Sequence, residues 1–139
     1  MAGKGKYYES QFEEATIELL RESHWQYTFG DDIHRKYTDP LIEEDLRTFL
    51  ATQYKDKRLT TSEVDGIIAN LRNTGGQNDY YALQNTFLLY RDGYDFTYSD
   101  GRDNPFRLQY IDFEHPDHNI FRCVNQFVME QGRENRRPD

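Results

Sequence analysis

Gly93 divides this chain into two textures, and their order limits the folds open to it. Before Gly93, apolar residues recur at three- and four-residue intervals, the signature of helices. After it, apolar runs and alternation at two-residue intervals take over, the signature of strands. Helices first and strands afterwards predicts an α+β fold, or an incomplete α/β layer. About four helices would stack on a small, mostly antiparallel sheet. At 139 residues the chain matches one domain with a single core.

Residues 1–8 read as a flexible lead-in, because Gly3 and Gly5 break a helix there. "ESQFEEATIELLRES" is the first helix, with Phe12, Thr16, Leu19 and Leu20 on one face and Glu9 and Glu13 along its border. "HWQYTFGDD" follows as a short extended segment closed by Gly30. "TDPLIEEDLRTFLATQY" reads as the second helix, with Asp39 as N-cap, Pro40 in the first position and Ile42, Leu46, Phe49 and Leu50 as the buried stripe. In the third, "LTTSEVDGIIANLRN", Thr60 and Glu63 have capping-box spacing and Val64, Ile67, Ile68 and Leu71 repeat inward. The fourth, "DYYALQNTFLLYRDG", is expected to bury Tyr80, Leu83, Phe87 and Tyr90 and to stop at Gly93.

Past Gly93, "YDFTYSD" and "FRLQYIDF" are strand candidates separated by a polar turn. The shift of apolar phase after Tyr110 suggests a bulge or a strand covered on both faces. "IFRCVNQFVMEQ" reads as one long strand with Phe121, Cys123, Phe127 and Met129 on one side and Val124 and Val128 on the other. Asn125 and Gln126 interrupt it, and polar amides within an apolar strand need hydrogen-bond partners if buried.

Composition narrows the function classes. The formal net charge is −8, and charged residues make up 30% of the chain. That argues against a simple nucleic-acid binder, which needs a basic stripe to displace counterions. It leaves room for a nuclease domain, whose acidic residues hold a metal. Aromatic residues reach 15%, enough to build a core despite the polar balance. Cys123 is the only cysteine, so no internal disulfide forms, which fits the reducing cytoplasm. No apolar run approaches the roughly 18 residues of a membrane span, and no secretory signal opens the chain.

Several constellations carry weak chemistry. His115 and His118 lie three apart in "HPDHN", but Pro116 and Asp117 read as a turn and no third ligand is spaced to join them. The acidic "DGYDFTYSDGRDN" lacks EF-hand spacing. Cys123 sits in an apolar alternation and reads as a core residue.

The segments "YIDF", "DHN", "NQF" and "RRPD", in that order and preceded by "ESQFEEATIELLRESHWQYT", carry more. Together they resemble the N-terminal region of the restriction (R) subunit of type I restriction–modification enzymes, from about Glu9 to Asp139. The resemblance implies the start of a PD-(D/E)xK endonuclease domain, which hydrolyses DNA phosphodiesters with Mg²⁺. It makes Asp139 the counterpart of the catalytic, metal-binding Asp. In the family a Glu-x-Lys follows after a further hairpin; no Glu-x-Lys occurs in these 139 residues. Residues 9–139 are thus expected to be the leading part of a nuclease domain, ending before that motif, and to bind Mg²⁺ weakly and cut nothing alone. Related nucleases add a Glu from the first helix: Glu13, beside Phe12, matches best, with Glu9 in reserve. Arg133, Arg136 and Arg137 are candidates to face a phosphate backbone.

The resemblance further implies an ATP-dependent parent whose ATP is bound outside this chain. Its partners are DNA, reached through that parent, and specificity and methylation subunits; no membrane is involved. Bland readings stand beside these. Acidic residues are favoured in a helix's first turns by its dipole, and "RRPD" is also an ordinary tail with a solvated basic loop. A different class is a self-contained, non-enzymatic interaction domain whose helical half docks a partner protein. An unpaired last strand would invite edge-to-edge self-association.

Overall fold

The computed structural model describes residues 2–75, 80–131 and 134–136. Helices α1 (Ala2–Glu22), α2 (Glu43–Gln53), α3 (Thr61–Gly75) and α4 (Tyr80–Asp92) all precede Gly93. Strand β1 (Gln26–Phe29) interrupts them, and β2 (Tyr94–Phe96), β3 (Phe106–Leu108), β4 (Arg122–Asn125), β5 (Met129–Gln131) and β6 (Glu134–Arg136) follow. The strands form three pairs: β1 beside β4 in parallel, and β2 with β3 and β5 with β6 antiparallel. Four helices with small, mostly antiparallel sheets are the expected α+β arrangement. The chain divides into two units, residues 43–119, and residues 1–42 together with 120–139.

In the unit of residues 43–119, α3 is built as its sequence directs. The Glu63 carboxylate accepts the Thr60 N–H (2.9 Å) and the Thr60 hydroxyl accepts the Glu63 N–H (3.1 Å), closing the capping box. The Arg102 guanidinium beside Glu63 holds that carboxyl down at about 2. Val64, Ile67, Ile68 and Leu71 are all buried, with Phe49 and Leu50 of α2 and Leu108 of β3. Leu50, Ile67, Ile68 and Leu108 are fully enclosed, each contributing about 1.5–3 kcal/mol of apolar burial. Phe96, Tyr98 and Phe106 pack as a ring cluster, and the Tyr54 ring tilts against Phe106. The Tyr110 hydroxyl donates to the Ile67 carbonyl (2.9 Å), and burial pushes its pKa up.

Several expectations are corrected. Helix α1 runs through Gly3 and Gly5 from Ala2; glycine lowers helix propensity by about 1 kcal/mol and does not forbid the conformation. Asp39 and Pro40 do not start α2, which begins at Glu43. The Asp39 carboxylate accepts the Leu41 N–H two residues on (3.0 Å), an Asx turn that competes with capping. The faces of α1 and α4 are rotated from those expected. Phe12 and Leu19 are 72% and 65% exposed, whereas Glu13, Ile17 and Leu20 are half-buried. On α4, Tyr80, Leu83, Phe87 and Tyr90 are exposed and Ala82 is buried, with Thr86 and Leu89 half-buried along its side. Small side chains let a helix approach closely, so this face packs by contact distance and not by hydrophobicity.

The strand "FRLQYIDF" stops at Leu108 because Tyr54 diverts the next backbone groups. Its hydroxyl accepts the Gln109 N–H (2.7 Å) and donates to the Gln109 carbonyl (3.1 Å). The long strand expected over 120–131 breaks in two at Gln126, whose φ of 53° is left-handed. Its second piece, β5, is paired with β6. Cys123 is half-buried, and its thiol lies 3.4 Å from the Gln26 carbonyl, so it is not an enclosed core residue.

Candidate functional site

The unit formed by residues 1–42 and 120–139 is organised by the parallel pair β1–β4. Gln26, Tyr27, Thr28 and Phe29 lie opposite Arg122, Cys123, Val124 and Asn125. Both strands therefore point the same way and end together at Phe29 and Asn125. Open α/β layers bind ligands beyond the carboxyl ends of such strands. Trp25 and Phe121 pack ring to ring just before the pair, at 5.2 Å. Arg122 binds the strands sideways by donating to the Thr28 hydroxyl (2.6 Å) and the Gln26 side-chain carbonyl (2.9 Å). The Arg21 guanidinium lies over the Tyr27 ring at 5.0 Å.

At the carboxyl end of β4, Asn125 joins the three elements. Its side-chain carbonyl accepts the Tyr27 hydroxyl from β1 (2.8 Å), and its amide donates to the Glu13 carboxylate from α1 (2.6 Å). Glu13, Ile17 and Leu20 form the half-buried side of α1, at the i, i+4, i+7 spacing of one helix face. Glu13 thus occupies a place in the packed stripe, not its border. The short bond to Asn125 fixes one carboxylate oxygen. A carboxylate offers about four acceptor sites, so this bond leaves capacity for another cation or donor.

The turn after Asn125 is held from two directions. A Cβ at Gly30 would lie 2.2 Å from the Gln126 carbonyl oxygen and 2.8 Å from that of Asn125. Only glycine fits that crossing, so the Gly30 that closes "HWQYTFG" lets β1 leave past the turn. Arg35 secures the other side. Its guanidinium covers the Phe127 ring at 3.6 Å and donates to the carbonyls of Lys36 (3.0 Å), Asp39 (2.8 Å) and Val128. Burial lowers its pKa, with the Asp39 charge opposing that. The Glu130 N–H donates to the Tyr37 carbonyl (2.8 Å), carrying the anchoring into β5.

Of the residues expected to act here, Glu13 is placed against the strand layer and Glu9 is exposed on the preceding turn. Arg136 ends β6, with its backbone opposite Met129. Arg133, Arg137 and Asp139 lie outside the described residues. Mg²⁺ prefers hard oxygen ligands. Glu13 has the donor chemistry for it and is oriented by a fixed amide, and one such carboxylate would be a single ligand. Tyr27, Gly30 and Arg35 carry no metal-ligating signature, and nothing in the sequence marks them as site residues. Asn125 did carry a signal, as an amide inside an apolar strand, and its partners are the strand β1 and the helix α1.

Among the described residues no helix is long and apolar enough to cross a membrane. Comparison with curated proteins and with solved structures returns no match. The family model described as the type I restriction enzyme R protein N terminus matches residues 6–139. With its helices, its Asn125 junction and nearly all of its length inside that match, the chain belongs to the family of type I restriction enzyme R protein N termini.

Proposed function

We propose that this chain forms the leading part of the DNA-cleaving domain of an ATP-dependent restriction subunit, with Glu13 and Asp139 as its contributions to a Mg²⁺ site. The observation that carries this reading is the 2.6 Å bond from Asn125 to Glu13. It holds a helix carboxylate at the carboxyl end of β4, the strand leading into the β5–β6 hairpin, and β6 ends three residues before Asp139. Mg²⁺ would supply an activated water and offset charge at the phosphate. Glu13 would bind the ion through oxygen left free by Asn125, and Asn125 and Tyr27 would keep that oxygen in place. Arg133, Arg136 and Arg137 would line the phosphate backbone. A second carboxylate and a lysine from a Glu-x-Lys would complete the site, and ATP would bind in other domains of the subunit.

Mn²⁺, used as a paramagnetic stand-in for Mg²⁺, tests the site in the 139-residue chain. Amide signals of Glu13, Asn125 and Gln126 should broaden, and Glu13→Gln and Asp139→Asn should each suppress the effect. Absence of broadening at Glu13, Asn125 and Gln126, or broadening there that survives both substitutions, overturns the assignment. The coding sequence after Asp139 provides an independent check, since the reading requires a further strand bearing Glu-x-Lys and a stop codon there removes it.

A second reading draws on α4, whose Tyr80, Tyr81, Leu83 and Phe87 are each at least 60% exposed. Such an apolar face favours protein docking. A complete, catalytically silent adaptor would use it for a partner, and the nuclease reading would cover it with the rest of the subunit.

A further inference from the structure

Within the unit of residues 43–119, one cluster of ligating side chains stands apart from Glu13. The sequence alone discounts His115 and His118 for want of a third ligand; the fold supplies Asp112. The Asp112 Oδ1 atom accepts the backbone N–H groups of Glu114 (3.0 Å) and His115 (2.9 Å). Its Oδ2 atom accepts the Gln53 amide from α2 (2.8 Å). Asn119 closes the loop from the far side, accepting the Asp112 N–H (2.9 Å) and donating to the carbonyls of Asp112 (2.8 Å) and Pro116 (3.1 Å). The carboxylate is buried and held by these bonds within the loop 112–119.

Both imidazoles converge on that carboxylate. A short 3-10 turn over Pro116–His118 stacks the two rings at 4.9 Å with an interplanar angle of 20°. His118 Nδ1 lies 3.1 Å from Asp112 Oδ2, and His115 Nδ1 lies 3.5 Å from the same oxygen. One ligand atom from each of the three residues falls within 4.8 Å of the others. A tetrahedral ion with bonds of about 2.0–2.1 Å separates its ligand atoms by about 3.3 Å; the two Asp112–His separations bracket that distance, and the His115–His118 pair lies within 4.8 Å.

A plain hydrogen bond explains less. Asp112 Oδ2 already accepts from Gln53 and needs one further donor, which His118 supplies. The second imidazole nitrogen, 3.5 Å from the same oxygen, is surplus to hydrogen bonding and suited to a shared cation. Gln53 and the two backbone N–H groups act as the outer hydrogen bonds that orient a ligating carboxylate. Both histidines are half or more exposed, which leaves a fourth position open to solvent. Two imidazole nitrogens with one carboxylate suit zinc and its transition-metal neighbours, while Mg²⁺ prefers oxygen.

We propose that Asp112, His115 and His118 form a site for one zinc-class divalent ion, separate from the Mg²⁺ chemistry of Glu13. The bound ion fastens the 112–119 loop through both histidines, and water or an outside donor fills its fourth position.

The test uses the tag-free, full 139-residue chain and Co²⁺ alone as a spectroscopic probe. One equivalent should give a saturable visible d–d band of four-coordinate cobalt. One equivalent of Zn²⁺ should erase it, and millimolar Mg²⁺ should leave it in place. The exposed-site variants His115→Gln and His118→Gln should each lower the Co²⁺ affinity at least 10-fold while circular dichroism stays unchanged. The other two histidines supply the control, and His24→Gln/His34→Gln should bind as the parent does. Glu13→Gln should also retain the band, which separates failure here from failure of the nuclease reading. Absence of a saturable band, or a band that survives loss of both His115 and His118, overturns the proposal. So does equal loss in the His24/His34 control.

Discussion

Gly93 and Gly101 share a φ of 67°, yet their surroundings differ completely. At Gly93 an added Cβ would lie 1.9 Å from the Leu108 carbonyl oxygen, 2.8 Å from its carbon and 3.0 Å from Gln109 Cα. At Gly101 it would meet nothing within 4 Å. The substitution Gly→Ala therefore incurs the left-handed penalty at both places, about 1–2 kcal/mol. A stiffer unfolded chain offsets it by about 0.4–1 kcal/mol. Gly101→Ala should thus cost about 1 kcal/mol. Gly93→Ala must also push β3 away from the end of α4 by more than 1 Å, judged against an ordinary contact of about 3.4 Å. Overpacking of this kind adds about 1–3 kcal/mol, for a total of about 2–4 kcal/mol. With an m-value of about 1.5 kcal/mol/M, the urea midpoint should fall by about 1.3–2.7 M at Gly93 and by under 1 M at Gly101. Because the backbone penalty cancels between them, the difference isolates the helix–strand approach. Equal midpoints for the two variants would refute the claim that Gly93 is there to let α4 end against Leu108.

The remaining expectations are shorter. Thr60→Ala removes the acceptor of the Glu63 N–H and should lower stability by about 1 kcal/mol in urea unfolding, whereas Thr60→Ser should restore it. Asp112 is held at about 2, chiefly by the His115 N–H and then by Gln53, and Glu63 is held at about 2 chiefly by Arg102. Folded values below the unfolded ones mean that this stabilisation is present above the unfolded pKa and lost as pH falls through the folded one. The urea midpoint should therefore hold steady down to about pH 5 and fall between about pH 4.5 and 2, and Asp112→Asn should flatten that fall. Leu83→Ser on exposed α4 should change stability by less than about 0.5 kcal/mol, which equilibrium unfolding would show.

What the sequence made legible follows from how strongly each local signal constrains packing. Helix α3 has four apolar residues that no other face can hide, so its register was readable from Val64, Ile67, Ile68 and Leu71 alone. Its capping box is a local motif, complete within four residues. Helices α1 and α4 carry aromatics on more than one side, and hydrophobicity does not choose between sides. In α4 the choice fell to Ala82, where a small side chain permits close approach. Strand ends depart from the local pattern wherever a distant group takes over the backbone. Tyr54 captures Gln109 from 55 residues away, and nothing near Gln109 announces it. The Asp112–His115–His118 cluster was hidden for a related reason. Asp112 sat in what read as a strand, and only the end of that strand at Leu108 folds the aspartate back over the histidines.

Glu13 shows the same principle acting at the candidate site. Helical spacing gives position 13 to the packed face along with Ile17 and Leu20, where a leucine would gain more burial than a glutamate. A half-buried carboxylate is costly unless its hydrogen bonds are replaced, and Asn125 replaces one. Asn125 is itself an amide in a strand of apolar neighbours, and it needs both Tyr27 and Glu13 to be satisfied. Three polar groups from α1, β1 and β4 are thus mutually dependent at one end of the layer. Packing alone would be served as well by three apolar residues, with no network to complete. What the polar version adds is a carboxylate oriented at the strand ends, which the proposed Mg²⁺ chemistry would use and a core would not.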